Sequence, residues 1–120
     1  MIRRRQKTET EHSIQAQLMT ELSWRLKPNI FCAAIPNGGY RRPRDRPLLM
    51  LEGVKRGSPD LYFIAPDGVS AWLEMKTATG FLSPHQKSFA AMCRRNGHRF
   101  AVAHSVDQAL EIIGQWGFLR

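Results

Sequence analysis

Two short apolar runs in the middle of the chain predict a β-hairpin. The first run covers residues 61–65 and the second covers residues 71–76, with a proline, an aspartate and a glycine between them at 66–68. Aromatic and aliphatic runs of this length favour strands, and those three residue types favour a tight turn. Because strand side chains alternate between faces, Glu74 and Lys76 project from the same side. The pattern therefore predicts an acid and a base side by side on one strand.

The N-terminal part of the chain has helical spacing. Apolar residues recur at four-residue steps from Ile14 to Leu22, and Pro28 marks the end of the pattern. Thr8 is the predicted N-cap, which places Glu11 at the third helical position. Glu11 therefore has two interpretations, a glutamate that caps the helix or a carboxylate that serves a functional site.

The remaining elements alternate between helices and strands. The apolar run 30–35 predicts a buried strand, and residues 99–104 predict another. Ser83 and Ser105 each begin a helix with a capping box, in which Gln86 is the partner of Ser83. This order of elements predicts an α/β domain, a mixed β-sheet flanked by helices. The predicted buried face of the helix after Ser83 consists of Phe89, Met92 and Cys93.

The size and charge of the chain restrict its function. A chain of 120 residues is long enough for one domain with a modest core. Its 18 lysines and arginines against 10 acidic residues leave a net charge of +8, which favours a polyanion such as nucleic acid as partner. No apolar run approaches the roughly 20 residues that a membrane span needs, and no signal peptide is evident. We expect a cytoplasmic protein in which Cys32 and Cys93 are reduced.

Positive charge is concentrated between the predicted strands. Residues 37–47 combine four arginines with two prolines and two glycines, a composition that does not enter a core. Arginine suits bidentate contacts with phosphate, so we interpret this segment as a phosphate-binding loop; the alternative is a solvated run of charge. Residues 1–7 are interpreted as a flexible basic arm. The predicted nucleic-acid-binding residues are Arg41, Arg42, Arg44, Arg46, Lys55 and Arg56.

The predicted hairpin also carries a candidate metal site. Pro59 and Asp60 precede its first strand, and Glu74 and Lys76 lie on the second. Carboxylate oxygens at these positions suit a divalent cation, with an ammonium group beside it. The order Pro-Asp, then Glu-x-Lys, resembles the signature of the PD-(D/E)xK nucleases. Without further matches, a solvated strand face explains the same three residues equally well.

Further segments resemble the VRR-NUC branch of that superfamily. They are Gly57, the segment Ser-Pro-His-Gln at 83–86 and the segment Glu-His-Ser-Ile-Gln at 11–15. The resemblance extends over roughly residues 9–112. It implies a restriction-endonuclease-like core and an Mg²⁺-dependent endonuclease, with Mn²⁺ as a substitute. The metal ligands it implies are Glu11, Asp60, Glu74 and the backbone carbonyl of Met75, and the catalytic residues are Lys76 and Gln86.

The same resemblance suggests a partner and an assembly. It implies a small stand-alone nuclease of a bacterium or phage, with residues 8–120 as the nuclease domain and no small-molecule cofactor. The implied substrate is branched DNA such as a four-way junction, cut by a homodimer. The apolar tail 116–119 either seals the core or supplies the dimer interface. The alternatives are a non-catalytic basic module that binds nucleic acid and a nuclease that acts on RNA or on linear duplex.

Replacing the four arginines of the basic loop with alanine is expected to weaken DNA binding and to reduce its dependence on salt. Each lost phosphate contact lowers the slope of log K against log salt by about 0.9 for duplex DNA. Folding stays unchanged, because the loop lacks the pattern of a core segment. Fluorescence anisotropy at several salt concentrations measures the slope, and an unchanged slope would identify the loop as merely solvated. The four substitutions are Arg41→Ala, Arg42→Ala, Arg44→Ala and Arg46→Ala.

Overall fold

Three α-helices and four strands make up the part of the chain that the structure describes. This computed structural model describes residues 10–36, 51, 53, 55 and 57–120. The basic arm, Arg56 and the arginines between residues 41 and 46 lie outside the described residues. None of the described helices is long and apolar enough to cross a membrane. The elements are α1 (Glu11–Arg25), β1 (Phe31–Ala34), β2 (Leu61–Ile64), β3 (Ser70–Met75), α2 (Pro84–Arg95), β4 (Arg99–Ala103) and α3 (Val106–Gln115).

The four strands of the described residues form one mixed sheet in the order β1-β2-β3-β4. The pairs β1–β2 and β2–β3 are antiparallel, whereas β3 and β4 are parallel. A parallel pair requires a crossover connection, which α2 supplies. The predicted hairpin is present, and its turn contains Asp67 in the left-handed region with φ of 65°. The prediction of a mixed sheet flanked by helices is confirmed.

The two faces of the sheet are covered by different helices. Buried side chains of α1 and α3 share one cluster with Leu73 and Met75 of β3. On the opposite face, the ring of Phe89 in α2 lies against Trp72 and Phe100, with centroid distances of 5.5 and 6.2 Å. Since strand side chains alternate, Glu74 lies on the same face as Trp72. The packing therefore directs Glu74 towards α2 and away from the main core.

The predicted N-cap of α1 is wrong by two residues. Thr10 is the N-cap, and its hydroxyl oxygen accepts a hydrogen bond from the backbone N–H of Ser13 at 3.1 Å. Glu11 is the first residue of the helix, so it does not close a capping box. Two threonines lie two residues apart before the apolar period begins, and the period alone does not choose between them. The carboxylate of Glu11 is thereby left for other contacts.

The predicted burial of the first strand and of Met92 is also wrong, because the helices cover only part of each face of the sheet. The strand predicted as buried is β1 at the edge of the sheet, where Phe31 is 52% exposed. An edge strand pairs on one side only, and α2 packs over the other half of the sheet. In α2 itself, Met92 is exposed and Ala90 takes the buried position beside Cys93. Both cysteines are free, as predicted.

The C-terminal tail seals the core. Phe118 is 3% exposed, and its ring lies 5.7 Å from the rings of both Phe63 and Trp116. The backbone N–H of Lys27 donates to the carbonyl of Phe118 at 2.8 Å, which ties the tail to the segment after α1. Of the two interpretations of this tail, the structure favours the core over a dimer interface.

Phe118→Ala is expected to lower the free energy of unfolding by about 3–5 kcal/mol, because it removes a buried aromatic ring and leaves a cavity. Urea denaturation at two protein concentrations measures the change and tests whether it depends on assembly. Trp24→Ala is the matched control, since Trp24 is exposed on α1 and its loss is expected to cost about 0.5 kcal/mol. If Phe118→Ala lowers the free energy of unfolding only at the higher protein concentration, the tail instead belongs to a dimer interface.

Candidate active site

Three carboxylates from three different elements converge at one end of the sheet. Glu11, Asp60 and Glu74 each place an oxygen within 4.8 Å of the others. Glu11 is the first residue of α1, Asp60 directly precedes β2 and Glu74 lies in β3. The antiparallel register pairs Leu61 with Leu73, so the next position of the hairpin brings Asp60 opposite Glu74. The register of the hairpin therefore sets the separation of these two acids.

A cavity of about 360 Å³ opens above the carboxylates. The first turn of α2 forms one wall of this site cavity, and the segment before β2 forms another. A helix N-terminus carries partial positive charge and exposed N–H groups, which favour an anion close to it. Besides the three acids, the lining residues are Lys55, Gly57, Ser58, Ser83, His85 and Gln86.

The side chain of Asp60 is held by the backbone of the neighbouring strand. Its Oδ2 accepts a hydrogen bond from the N–H of Met75 at 2.7 Å. A carboxylate that accepts a backbone N–H is fixed in orientation. One oxygen of Asp60 is therefore held by the scaffold, and the carboxylate lies beside that of Glu74.

Glu74 is the most buried charged residue among those described, with 2% exposure. Its Oε2 accepts a hydrogen bond from Nε2 of Gln86 at 3.2 Å and lies 3.5 Å from Nζ of Lys76. Its Oε1 is buried and has no hydrogen-bond partner among the described residues. Burial and then the carboxylate of Asp60 raise the pKa of Glu74 to about 8, although Lys76 opposes the shift. In the protein without a ligand, the ionised form of Glu74 is therefore disfavoured relative to that of an exposed glutamate.

The ammonium group of Lys76 lies between two of the acids. Its Nζ is 3.5 Å from Glu74 and 3.9 Å from Oε1 of Glu11, and the side chain is only 12% exposed. This placement follows the strand alternation that the sequence predicts. The group supplies a positive charge at the cavity that solvent screens only weakly.

Gln86 closes the predicted capping box and also contacts the buried acid. The side-chain Oε1 of Gln86 accepts from the backbone N–H of Ser83 at 2.8 Å. The backbone N–H of Gln86 donates to the Ser83 hydroxyl at 3.2 Å, which completes the predicted capping box. The remaining amide group donates to Glu74. The cap fixes the rotamer of Gln86, so the start of α2 and the buried acid are positioned together.

Gly57 allows the segment before β2 to approach α2 closely. Its φ is +84°, and a Cβ built at this position would lie 2.5 Å from the backbone carbonyl carbon and oxygen of His85. No side chain other than hydrogen fits that gap. The contact brings Lys55 and Ser58 to the rim of the site cavity.

The structure brings most of the predicted site residues together. Five of them contact one another or line the cavity: Glu11, Asp60, Glu74, Lys76 and Gln86. Met75 lies between Glu74 and Lys76 in the chain and binds Asp60 through its N–H, and Lys55 lies at the rim. The other basic residues that were predicted to bind nucleic acid lie outside the described residues. The sequence interpretation did not name three of the lining residues as site residues, although two of them lie in the segment 83–86 that carries the family resemblance. These three residues are Ser58, Ser83 and His85.

The donor atoms of this site fit a divalent metal ion. Three carboxylates offer hard oxygen ligands, the type that Mg²⁺, Mn²⁺ and Ca²⁺ prefer. The buried Oε1 of Glu74 lacks a partner among the described residues, which is unfavourable unless a positive group or a donor reaches it. A bound cation would satisfy that oxygen and offset the repulsion among the acids.

Comparison with known proteins assigns the chain a family and a fold. The family model for the VRR-NUC domain matches residues 9–107. A solved structure described as a VRR-NUC domain protein has a TM-score of 0.72 and 23% identity, covering 92% of this chain and 90% of its own. A second, described as a VRR-NUC domain, has a TM-score of 0.62 and 22% identity, covering 88% and 96%. No curated protein matches the chain. At these identities the two structures establish the fold, which is consistent with a restriction-endonuclease-like core.

The raised pKa of Glu74 predicts that the metal-free protein loses stability as the pH rises. The carboxyl has its ordinary value of 4.5 when unfolded and about 8 when folded, so the unfolded chain releases its proton first. The contribution of Glu74 is therefore most favourable below pH 4.5 and is lost as the pH approaches 8, by an amount on the order of a few kcal/mol. Urea denaturation in EDTA across this window measures the loss.

Glu74→Gln isolates this contribution, because glutamine keeps the shape of the side chain without its titration. The variant is expected to lose less stability than the natural protein between about pH 5 and pH 8. Glu21→Gln, at a partly exposed acid paired with Arg25 on α1, is the control and should follow the natural protein. If the free energy of unfolding changes with pH in the same way for all three proteins, the raised pKa of Glu74 is contradicted.

Proposed function

The chain belongs to the VRR-NUC domain family, and from this premise we propose that it is a metal-dependent endonuclease that hydrolyses phosphodiester bonds in DNA. Membership of the family implies a nuclease, and hence a hydrolase that acts on nucleic acid. The observation that carries the proposal is the convergence of Glu11, Asp60 and Glu74 around the ammonium of Lys76. Carboxylates with an adjacent ammonium at an open cavity suit phosphoryl chemistry better than they suit a structural role.

Asp60 and Glu74 are the proposed ligands of Mg²⁺, or of Mn²⁺ in its place. Glu11 and the backbone carbonyl of Met75 complete the set, directly or through water. When bound, the metal polarises a phosphate oxygen and lowers the pKa of a coordinated water. Support for this set comes from the Met75 N–H that fixes the orientation of Asp60, and from the Oε1 of Glu74, which has no hydrogen-bond partner among the described residues.

Lys76 is proposed to orient the attacking water and to offset the negative charge that grows on the phosphate. Its ammonium is largely shielded from solvent and lies between Glu11 and Glu74. An ammonium group placed beside two carboxylates suits electrostatic stabilisation of a phosphate. Gln86 keeps the carboxylate of Glu74 in place, and the N-terminal turn of α2 favours the approach of a phosphate.

Branched DNA is the proposed substrate and a homodimer the proposed assembly. The net charge of +8 favours a polyanion, and Lys55 at the rim of the site cavity suits a flanking phosphate. A two-fold dimer would direct two active sites to opposite strands of a symmetric junction. Labelled four-way junction, linear duplex and RNA, offered in parallel with and without Mg²⁺, test this choice. Preferential cutting of RNA or linear duplex would replace the proposed substrate.

Asp60→Asn is expected to reduce cleavage by two or more powers of ten, because activation by the metal contributes several kcal/mol. The amide oxygen of asparagine can still accept from the N–H of Met75, so the local fold is kept. The other position then carries an NH₂ group, which does not bind a cation. DNA affinity without metal should hold or rise, since one negative charge is removed. Cleavage, metal-free binding and melting temperature are measured on the same variant.

The control is Asp67→Asn, the same chemical change at the hairpin turn. Asp67 is exposed, and its positive φ suits asparagine. This variant should cut as the natural protein does. Adding Mg²⁺ or Mn²⁺ should raise the melting temperature of the natural protein and of Asp67→Asn, but not that of Asp60→Asn. Full cleavage by Asp60→Asn, or DNA binding without any cleavage by the natural protein, would contradict the proposed nuclease and favour a binding module.

A further inference from the structure

A second cavity, of about 540 Å³, lies beside the proposed catalytic centre. We call it the loop cavity, because the segment that follows Lys76 forms much of its wall. Val102, which also lines it, is the direct partner of Glu74 in the parallel pairing of β3 and β4. Neighbouring strands lie about 4.8 Å apart. The loop cavity therefore begins one strand away from the buried acid.

The walls of the loop cavity are largely apolar and include an exposed aromatic ring. Leu82 and Val102 line it, and Phe81 contributes a side chain that is 87% exposed. Single exposed apolar residues are ordinary on protein surfaces. Phe81 is unusual because it stands at the rim of a cavity that adjoins the acids. A flat, solvated ring at this place suits a flat ligand that stacks on it.

His104 gives the same cavity a polar group with a defined orientation. Its Nδ1 lies 2.8 Å from the backbone carbonyl of Thr77. A carbonyl oxygen only accepts, so Nδ1 carries the hydrogen and donates it. Nε2 has no hydrogen-bond partner among the described residues, and in the neutral ring it is an acceptor. The contact also fixes the start of the loop that carries Phe81.

We propose that the loop cavity binds the base of an unpaired nucleotide next to the phosphodiester bond that is cut. Phe81 stacks on the base, and His104 hydrogen-bonds to its edge. An aromatic face combined with a hydrogen-bonding edge is the recognition chemistry of a nucleobase. A base inside a duplex has both faces covered by its neighbours, so only an unpaired or displaced base can occupy the cavity.

This inference rests on the proposed function and names the part of the substrate that the site distinguishes. If the phosphate of a DNA strand lies at the three acids, the bases on either side of that phosphate lie within one nucleotide of the acids. The loop cavity lies within one strand of Glu74 on the same face of the sheet. Unpaired bases occur where strands separate into single-stranded arms, which gives a structural reason for selecting such a branch point over a continuous duplex.

A binding experiment with abasic DNA tests the inference without requiring cleavage. The probe is a fluorescent splayed-arm duplex in EDTA, in which one abasic nucleotide is moved stepwise through the single-stranded arms. At one position, loss of the base is expected to weaken binding by about 5- to 150-fold, which corresponds to the 1–3 kcal/mol of a stacked base. At the other positions the effect should be small.

Phe81→Ala is expected to weaken binding of the intact probe by a similar factor, and to have little further effect on the probe that is abasic at the sensitive position. This non-additivity identifies the ring and the base as partners. Phe81→Trp should restore tight binding, whereas Phe81→Leu, which keeps an apolar side chain without a ring, should not. Because Phe81 is exposed, each variant should fold as the natural protein does.

Trp24→Ala is the matched control, since it also removes an exposed aromatic ring. Trp24 lies 13 residues along α1 from Glu11, about 20 Å at 1.5 Å per residue, and its loss should leave the abasic profile unchanged. An equal response to abasic sites at every position, or the same Phe81→Ala effect with and without the base, would overturn the inference. So would a Phe81→Ala effect confined to self-association in sedimentation, which would identify a protein contact.

The two proposals fail in different ways. If the natural protein has the position-dependent binding but cuts no nucleic acid in Mg²⁺ or Mn²⁺, the proposed function fails and the base-binding cavity stands. If it cuts DNA but no abasic position and no Phe81 variant changes binding, the proposed function stands and the cavity does not bind a base.

Discussion

Repulsion among three acids, one of them almost fully buried, is the constraint on which the rest of the structure depends. Burial disfavours the ionised form of Glu74, the neighbouring carboxylate of Asp60 disfavours it further, and together they raise the pKa of Glu74 to about 8. The fold compensates only in part, with the ammonium of Lys76, the amide of Gln86 and the Met75 N–H that binds Asp60. One oxygen of Glu74 remains buried without a partner among the described residues. Leaving this oxygen without a partner is energetically unfavourable, and a bound cation would remove that contribution, so the arrangement favours cation binding.

The two-sided sheet makes this arrangement possible. Leu73 and Met75 are fully buried on the face covered by α1 and α3, so their packing fixes the register of β3. A slip of one residue would bring Glu74 into the apolar core and move both neighbours to the face that α2 covers. The hydrophobic effect on one face thus holds a charged residue in place on the other. The same register brings Asp60 opposite Glu74, so one hairpin specifies two of the three acids.

The local parts of this structure could be predicted from the sequence, and the long-range parts could not. Strand alternation predicted that Glu74 and Lys76 share a face, and the capping pattern predicted the Ser83–Gln86 contacts. Neither pattern reveals that Glu74 is buried, because its burial depends on where α2 crosses the sheet. For the same reason the capping pattern predicted the contact of Gln86 with Ser83 but not its contact with the buried Glu74. The exposure of Phe31 likewise depends on which half of a face a helix covers.

The acids and the loop cavity lie side by side but depend on different parts of the fold, so the substrate that the site accepts can change without a change in the acids. The carboxylates are held by strand register and by a helix cap, both of which depend on the buried core. The loop cavity depends instead on a short segment after Lys76, fixed mainly by the contact between Thr77 and His104. Substitutions in that segment alter side chains such as Phe81 without disturbing the core. In the proposed function, hydrolysis and substrate choice are therefore separable: the acids held by the sheet would support cleavage of the phosphodiester bond, and the loop cavity would select an unpaired base beside it.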